Sequence, residues 1–216
     1  SHNRKIAYQY YKGKSKIGFI FFGGFCSDMT GSKAQYIFQW CKNNKYECTL
    51  FDYSGHGKSS EDFINTSIKE WIEDALEILN TVPSNPQILI ASSMGGWIAL
   101  KISLISLAKI KGLVTIAAAP DFTKRLWQKE LNIKQKNEIT KKGFTSIPSE
   151  YNSSGYIITK KLIEEGNKNL VLSNKKNIFT FPLKLIHGDK DLAVSWKESL
   201  KIFNKNNNEK SELIIL

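Results

Sequence analysis

Long apolar runs, cysteine and histidine are all scarce in this sequence. No stretch of its 216 residues approaches the roughly 20 consecutive apolar positions that span a bilayer, so a soluble protein is expected. Nor does it show a charged start followed by an apolar stretch and a small-residue cleavage site. An intracellular location is therefore expected, in the cytoplasm or, if a targeting segment has been removed, in a mitochondrial-type compartment. The three cysteines, Cys26, Cys41 and Cys48, lack metal-ligand spacing toward the three histidines, which points to free thiols and away from a disulfide framework or a metal site.

Lysine is abundant. The formal charge of +11 comes from 31 Lys and Arg against 20 Asp and Glu, and raises the question of nucleic acid or anionic lipid as partner. The lysines are spread along the chain beside Asn and Ile, as at Lys141-Lys142 and Lys160-Lys161, with no basic stripe interleaved with exposed aromatics. They read as a solvated surface, and no nucleic-acid partner is expected. The oligomeric state is left open. At 24.5 kDa and 41% hydrophobic residues, the chain suits one domain around one core.

Short β-like runs at 5–10, 17–22, 47–52, 87–92, 112–117, 182–187 and 212–216 alternate with helix-like segments. This pattern predicts an α/β fold, a mostly parallel sheet with helices on both faces. Ser67-Ile68-Lys69-Glu70 has the form of a capping box, and Ile68, Trp71, Ile72, Ala75, Leu76 and Leu79 follow at helical spacing. Residues 121–177 break the alternation, and are expected to form a small, partly helical cap inserted into the single domain.

Four segments carry the chemistry. The strand at 87–92 runs into Ser93-Met94-Gly95-Gly96-Trp97 and an apolar helix, the pattern of a nucleophile elbow, in which a strained turn projects a serine oxygen above the sheet. Ser93 is preferred to Ser92 because it has glycine two positions later. Acyl transfer also needs two backbone N–H donors for the oxyanion. Met94, after the nucleophile, and Phe25, after the strand that ends in Gly23-Gly24, fill those positions. Cys26 is expected to be a small buried hydrophobe.

The third segment, Asp52-Tyr53-Ser54-Gly55-His56-Gly57-Lys58-Ser59, reads as a structural turn, with His56 a loop residue. The fourth, His187-Gly188-Asp189-Lys190-Asp191, follows a strand; Asp191 is the candidate acid in preference to Asp189, and His187 is expected to be structural.

Together these segments resemble the α/β-hydrolase superfamily. The stretches at 24–29, 51–55 and 92–97, and Gly143-Phe144-Thr145-Ser146-Ile147-Pro148-Ser149 in the cap, resemble its branch of mitochondrial palmitoyl-protein thioesterases that also act on acyl glucuronides. The resemblance implies an α/β-hydrolase fold and a serine esterase or thioesterase that works through a Ser-Asp-His triad, without metal or organic cofactor. Carried over by position, Ser93 is the nucleophile, Asp191 the acid, and Phe25 and Met94 the oxyanion donors.

In this fold the histidine follows the acid along the chain, whereas His2, His56 and His187 all precede Asp191. The expectation is that sequence beyond Leu216 supplies it; the alternative is a non-catalytic binding or scaffold protein. A serine at the elbow argues against branches that use aspartate there. Phe122, Trp127, Phe144 and Tyr151 are candidates for an acyl pocket in the cap. The acyl chain and the leaving group are not legible.

Overall fold

The computed structural model describes residues 4–106, 108–149, 155–173, 179–206 and 209–216. Among them, nine strands run in chain order as β1 (Tyr8–Tyr11), β2 (Gly18–Phe22), β3 (Glu47–Phe51), β4 (Gln87–Ser92), β5 (Ile110–Ile116), β6 (Phe144–Ile147), β7 (Tyr156–Thr159), β8 (Leu183–His187) and β9 (Ser211–Ile215). Seven build one sheet in the order β1-β3-β2-β4-β5-β8-β9. All its pairs are parallel except β1 with β3. The helices are α1 (Ser32–Asn43), α2 (Ile68–Thr81), α3 (Met94–Ile105), α4 (Phe122–Arg125), α5 (Ile133–Lys142), α6 (Lys160–Lys168) and α7 (Lys197–Lys205), with a π-helical stretch at Leu126–Glu130.

Each face of the sheet meets its own helices because the strand residues alternate. Ile20, Phe22, Leu89, Ala91 and Leu113 pack with Trp71, Ile72 and Leu79 of α2 and Trp97 and Ile98 of α3 in the main core. On the other face, Phe21, Cys48, Leu50 and Ile90 meet Ala34, Phe38 and Cys41 of α1. Every residue of β3 is buried, as expected of a parallel strand covered on both sides. In α3 the buried residues run continuously from Met94 to Leu100, which marks it as the central helix.

The seven expected strands coincide with the seven of this sheet, with small shifts at their ends. The first begins at Tyr8 instead of Lys5, because the amides of Lys5 and Ala7 donate to the hydroxyls of Ser60 and Ser59, each at 2.9 Å, and so leave the ladder. The capping box at Ser67 is absent although α2 starts where expected. Glu70 pairs with Lys161 of α6 at 2.8 Å and receives the Ser67 hydroxyl at 2.6 Å, so Ser67 caps no amide. A reciprocal box forms instead at Asn132 and Gln135, at the head of α5.

Between β5 and β8 the chain leaves the sheet and builds α4 to α6 and the antiparallel pair β6-β7. That second sheet was not anticipated; strands of four residues are too short to declare a period. The base of the excursion is tied to the body. Asp121, 7% exposed, receives the amides of Val171 at 2.8 Å and Leu172 at 2.9 Å, and Trp97 Nε1 donates to the Asn169 carbonyl at 3.0 Å. Burial lifts the Asp121 carboxyl above its usual value, the two amides pulling the other way. Removing its oxygens strands two amides, so Asp121→Ala is expected to cost about 2–4 kcal/mol, read as a fall in the urea midpoint, while Asp121→Asn, which keeps one acceptor, loses less.

Candidate active site

The order of strands reverses between β2 and β4, and open parallel sheets hold their ligand crevice beyond the carboxyl ends of strands at such a point. A cleft of about 790 Å³ lies there. Of the six non-glycine residues at positive φ among those described, Cys26, Ser93 and Ala117 line it. Each follows a strand, β2, β4 or β5.

Ser93 has φ 52° and ψ −118°, a conformation that persists only when its surroundings over-determine it. Its N–H donates to the Ile116 carbonyl at 3.0 Å, and its carbonyl accepts the amides of Gly96 at 2.9 Å and Ala119 at 3.0 Å. The side chain is thereby turned out of the ladder, and among the described residues its hydroxyl makes no hydrogen bond. Ser92 also borders the cleft but is 8% exposed. Gly95 permits the tight turn. A Cβ there would collide with the Phe22 carbonyl oxygen and lie 2.6 Å from that of Gly23.

Across from the elbow, the loop after β2 brings Gly24 so close that a Cβ on it would lie 3.4 Å from the Ser93 Cβ. Among the described residues neither the Phe25 nor the Met94 amide donates to another protein group, so both remain available to a ligand oxygen. The Phe25 ring is gripped from four sides, its centroid 5.3–6.0 Å from those of Phe63, Trp71, Phe122 and Tyr156. Cys26 is not the buried residue that was expected. It is exposed and lines the cleft, because its positive φ of 56° turns it outward. Partial desolvation by the cleft wall pushes its thiol up to about 12.

The turn after β3 braces that loop. Asp52 receives the amides of Met29 at 2.7 Å and Lys58 at 2.9 Å, and its carbonyl accepts the Ser59 hydroxyl at 2.6 Å. Gly57, at φ +48°, leaves room for this carboxylate. His56 is buried, with both ring nitrogens hydrogen-bonded to backbone.

After β8, Asp191 Oδ1 accepts the amides of Ala193 and Val194 at 2.9 Å each. Among the described residues Oδ2 accepts no hydrogen bond; its nearest cationic candidate is His187 Nε2 at 3.9 Å. His187 is 1% exposed and otherwise engaged, Nε2 donating to the Val194 carbonyl and Nδ1 meeting the Ser199 hydroxyl, both at 2.7 Å. One carboxylate oxygen of Asp191 is thus anchored and the other open, on a residue that lines the cleft with Ser93, Met94 and Phe25. Asp189 is exposed outside that lining, its amide on the Leu216 carbonyl at 2.8 Å.

The excursion between β5 and β8 supplies an apolar wall of Phe122, Leu126, Ile147, Tyr156 and Ile158, with Arg125 and Glu130 paired at 2.7 Å beside it. Of the aromatic residues expected to line an acyl pocket, Phe122 lines the cleft. Trp127 packs against the core under Lys136, Phe144 is 51% exposed on β6, and Tyr151 lies outside the described residues. Tyr156 and Ile158 were missed, since nothing local in the sequence ties them to the elbow. Among the described residues no group of three or more His, Cys, Asp or Glu could hold a metal ion.

A serine held at positive φ between a buried parallel strand and a central helix, at the reversal point of the sheet, defines the molecule as an α/β hydrolase. Residues 14–161 match the family described as serine aminopeptidase, S33, and the chain belongs to that family. It is 36% identical over 93% of its length to the mitochondrial palmitoyl-protein thioesterase ABHD10 of Rattus norvegicus and 34% identical to the Homo sapiens protein, spanning 67% and 65% of those chains. In structure it resembles the mouse alpha/beta hydrolase domain-containing protein 10 (TM-score 0.87, 33% identity, 97% of this chain and 83% of that one) and a protein of Agrobacterium vitis S4 (TM-score 0.94, 32% identity, 99% and 84%). Est1E of Butyrivibrio proteoclasticus, at 16% identity and TM-score 0.81 over 99% of this chain and 86% of that one, shares the fold.

The contact at Gly95 generates a stability prediction. Gly95→Ala must force α3 away from β2, and is expected to cost more than the about 1–3 kcal/mol of ordinary overpacking. Gly188→Ala, whose Cβ meets nothing within 4 Å, should stay within about 0.5 kcal/mol of the parent; chemical denaturation of the two variants checks both.

Proposed function

We propose that this chain is a serine hydrolase that cleaves carboxylic esters or acyl thioesters through an acyl-enzyme. The observation that carries the reading is the conformation of Ser93, whose hydroxyl is released into the cleft beside two unengaged amides, those of Phe25 and Met94. In the proposed reaction Ser93 Oγ attacks the acyl carbonyl, and the two amides bind the oxyanion. An imidazole takes the serine proton and passes it to the leaving alcohol or thiol; water then enters, and the carboxylic acid departs.

The open Oδ2 of Asp191 is suited to orient that imidazole, while Oδ1 is fixed by its turn. Neither His56 nor His187 is the base, since both are buried and engaged elsewhere. We take the base to be a histidine that follows the acid along the chain, the order of the triad in this fold. Leu216, at the end of β9, donates to the His187 carbonyl at 2.9 Å, beside the turn that carries Asp191. The apolar cap wall suits an acyl chain, and the relatives named as palmitoyl-protein thioesterases favour a thioester in a mitochondrial-type compartment. We read 121–177 as the cap that selects the acyl group.

A fluorophosphonate probe tests the reading. Ser93→Ala should abolish labelling and Ser92→Ala should leave it; the reverse result shifts the nucleophile by one residue. The 216-residue chain, if it holds no histidine that joins Asp191 to Ser93, should turn over p-nitrophenyl esters on the order of 10⁶-fold more slowly than a complete triad. Free imidazole should raise that rate, and Asp191→Asn, but not Asp189→Asn, should remove the increase. With a complete triad, Asp191→Asn is expected to lower kcat by about 10⁴. Absence of labelling at any serine would favour the binding-protein reading.

A further inference from the structure

Next to the cleft, yet outside its lining, His56 is 5% exposed and fixed in one tautomer. Nδ1 lies 3.2 Å from the Ser54 carbonyl, which only accepts, and Nε2 lies 3.3 Å from the Cys26 amide, which only donates. The proton is therefore on Nδ1, and Nε2 is an acceptor. The ring stands edge-on to Phe63 and Trp71, at centroid distances of 5.2 and 5.1 Å. Those two rings also hold Phe25. Phe25 and Cys26 are thus held by one cluster, Phe25 through its ring and Cys26 through its amide. Cys26 needs such a hold, because a non-glycine residue at φ 56° is not stable by local preference.

We propose that His56 is a positioning residue of the acyl-transfer site: by accepting the Cys26 N–H it fixes the peptide turn that aims the Phe25 amide at the oxyanion, and it does so only as a neutral imidazole. This rests on the reading of Phe25 as an oxyanion donor. Protonation of Nε2 sets a second donor against the Cys26 N–H, so the hydrogen bond is lost and the two N–H groups repel. Among the described residues, the charged groups that act on the ring are the carboxylates of Asp52 and Asp28, both favouring the cation; Tyr53, Phe63 and Trp71 meet its faces and edges and bring no charge at neutral pH. Burial disfavours the cation more strongly, and holds His56 below the ordinary imidazole value. A depressed value in the folded state means that the support is present above the ordinary value of about 6.5 and disappears as pH falls through the lower, folded one.

The test is the rate constant for fluorophosphonate labelling of Ser93 from about pH 5 to 8 in the parent, His56→Gln and His56→Leu. His56→Leu, with no acceptor for Cys26, should label on the order of 10²-fold more slowly, the loss that follows a small misplacement of catalytic geometry. His56→Gln offers a carbonyl oxygen that cannot protonate, so it should restore most of the rate and lack part of the parent's fall in acid. Any acid limb from the catalytic base is common to all three proteins, and the difference between parent and His56→Gln isolates His56. Equal slowing by both variants, or parallel pH profiles in all three, overturns the proposal. Should His56→Leu not fold, the Cys26 amide resonance of the parent decides: it should titrate together with the His56 ring protons, and independent titration overturns the link. Labelling that persists in Ser93→Ala would instead overturn the site reading, and the amide titration still judges the link between His56 and the loop on its own.

Discussion

Where α3 starts, its first turn lies against the carbonyls of Phe22 and Gly23, and Gly95 is the residue at the point of contact. The distance between helix and strand there fixes how sharply the chain must turn after β4. Ser93 takes up that turn with a positive φ, and its N–H and carbonyl are both consumed by neighbouring backbone. The same approach brings the loop after β2 beside the serine, so that Gly24 lies against its Cβ. A single side-chain carbon at Gly95 would undo this arrangement, whatever residues lined the cleft above it.

Around that contact the remaining elements act as props. Asp52 secures Met29 and Lys58, His56 secures Cys26, and the Asp191 turn is closed by Ala193 and Val194. Each prop is a polar side chain that accepts backbone N–H groups in a loop, which is how irregular chain at a strand end satisfies amides that the ladder cannot. The electrostatic consequence is that most of these acceptors are spent on structure, while the amides of Phe25 and Met94, on residues that line the cleft, donate to no group among the described residues.

Much of this was legible in the sequence because it is local. The strands announced themselves by apolar runs, and the elbow by a serine with glycine at fixed spacing. Asp191 was preferred over Asp189 because it stands four residues after His187, where the family it resembles keeps its acid; the two occupy different surroundings, one in the cleft wall and the other exposed outside it. What was not legible depends on partners far along the chain. Glu70 abandons its cap for Lys161, 91 residues away, and Tyr156 and Ile158 reach the cleft only because α4 and α6 fold the cap back over the sheet. Cys26 was misread for a related reason: with no base partner apparent in the sequence it was taken as a small buried hydrophobe, whereas in the structure it sits at positive φ, exposed on the cleft.

The carboxylate of Asp121 reaches from the last residue before α4 to the amides of Val171 and Leu172, where the excursion returns. The two feet of the cap therefore stand on one side chain, and the ends of the loop stay together however the residues between them are arranged. Lengthening a loop whose ends are already joined costs little, since closure entropy grows only with the logarithm of its length. The wall over the cleft is in this sense separable, able to vary in length and sequence while the turn at Ser93 beneath it keeps its shape.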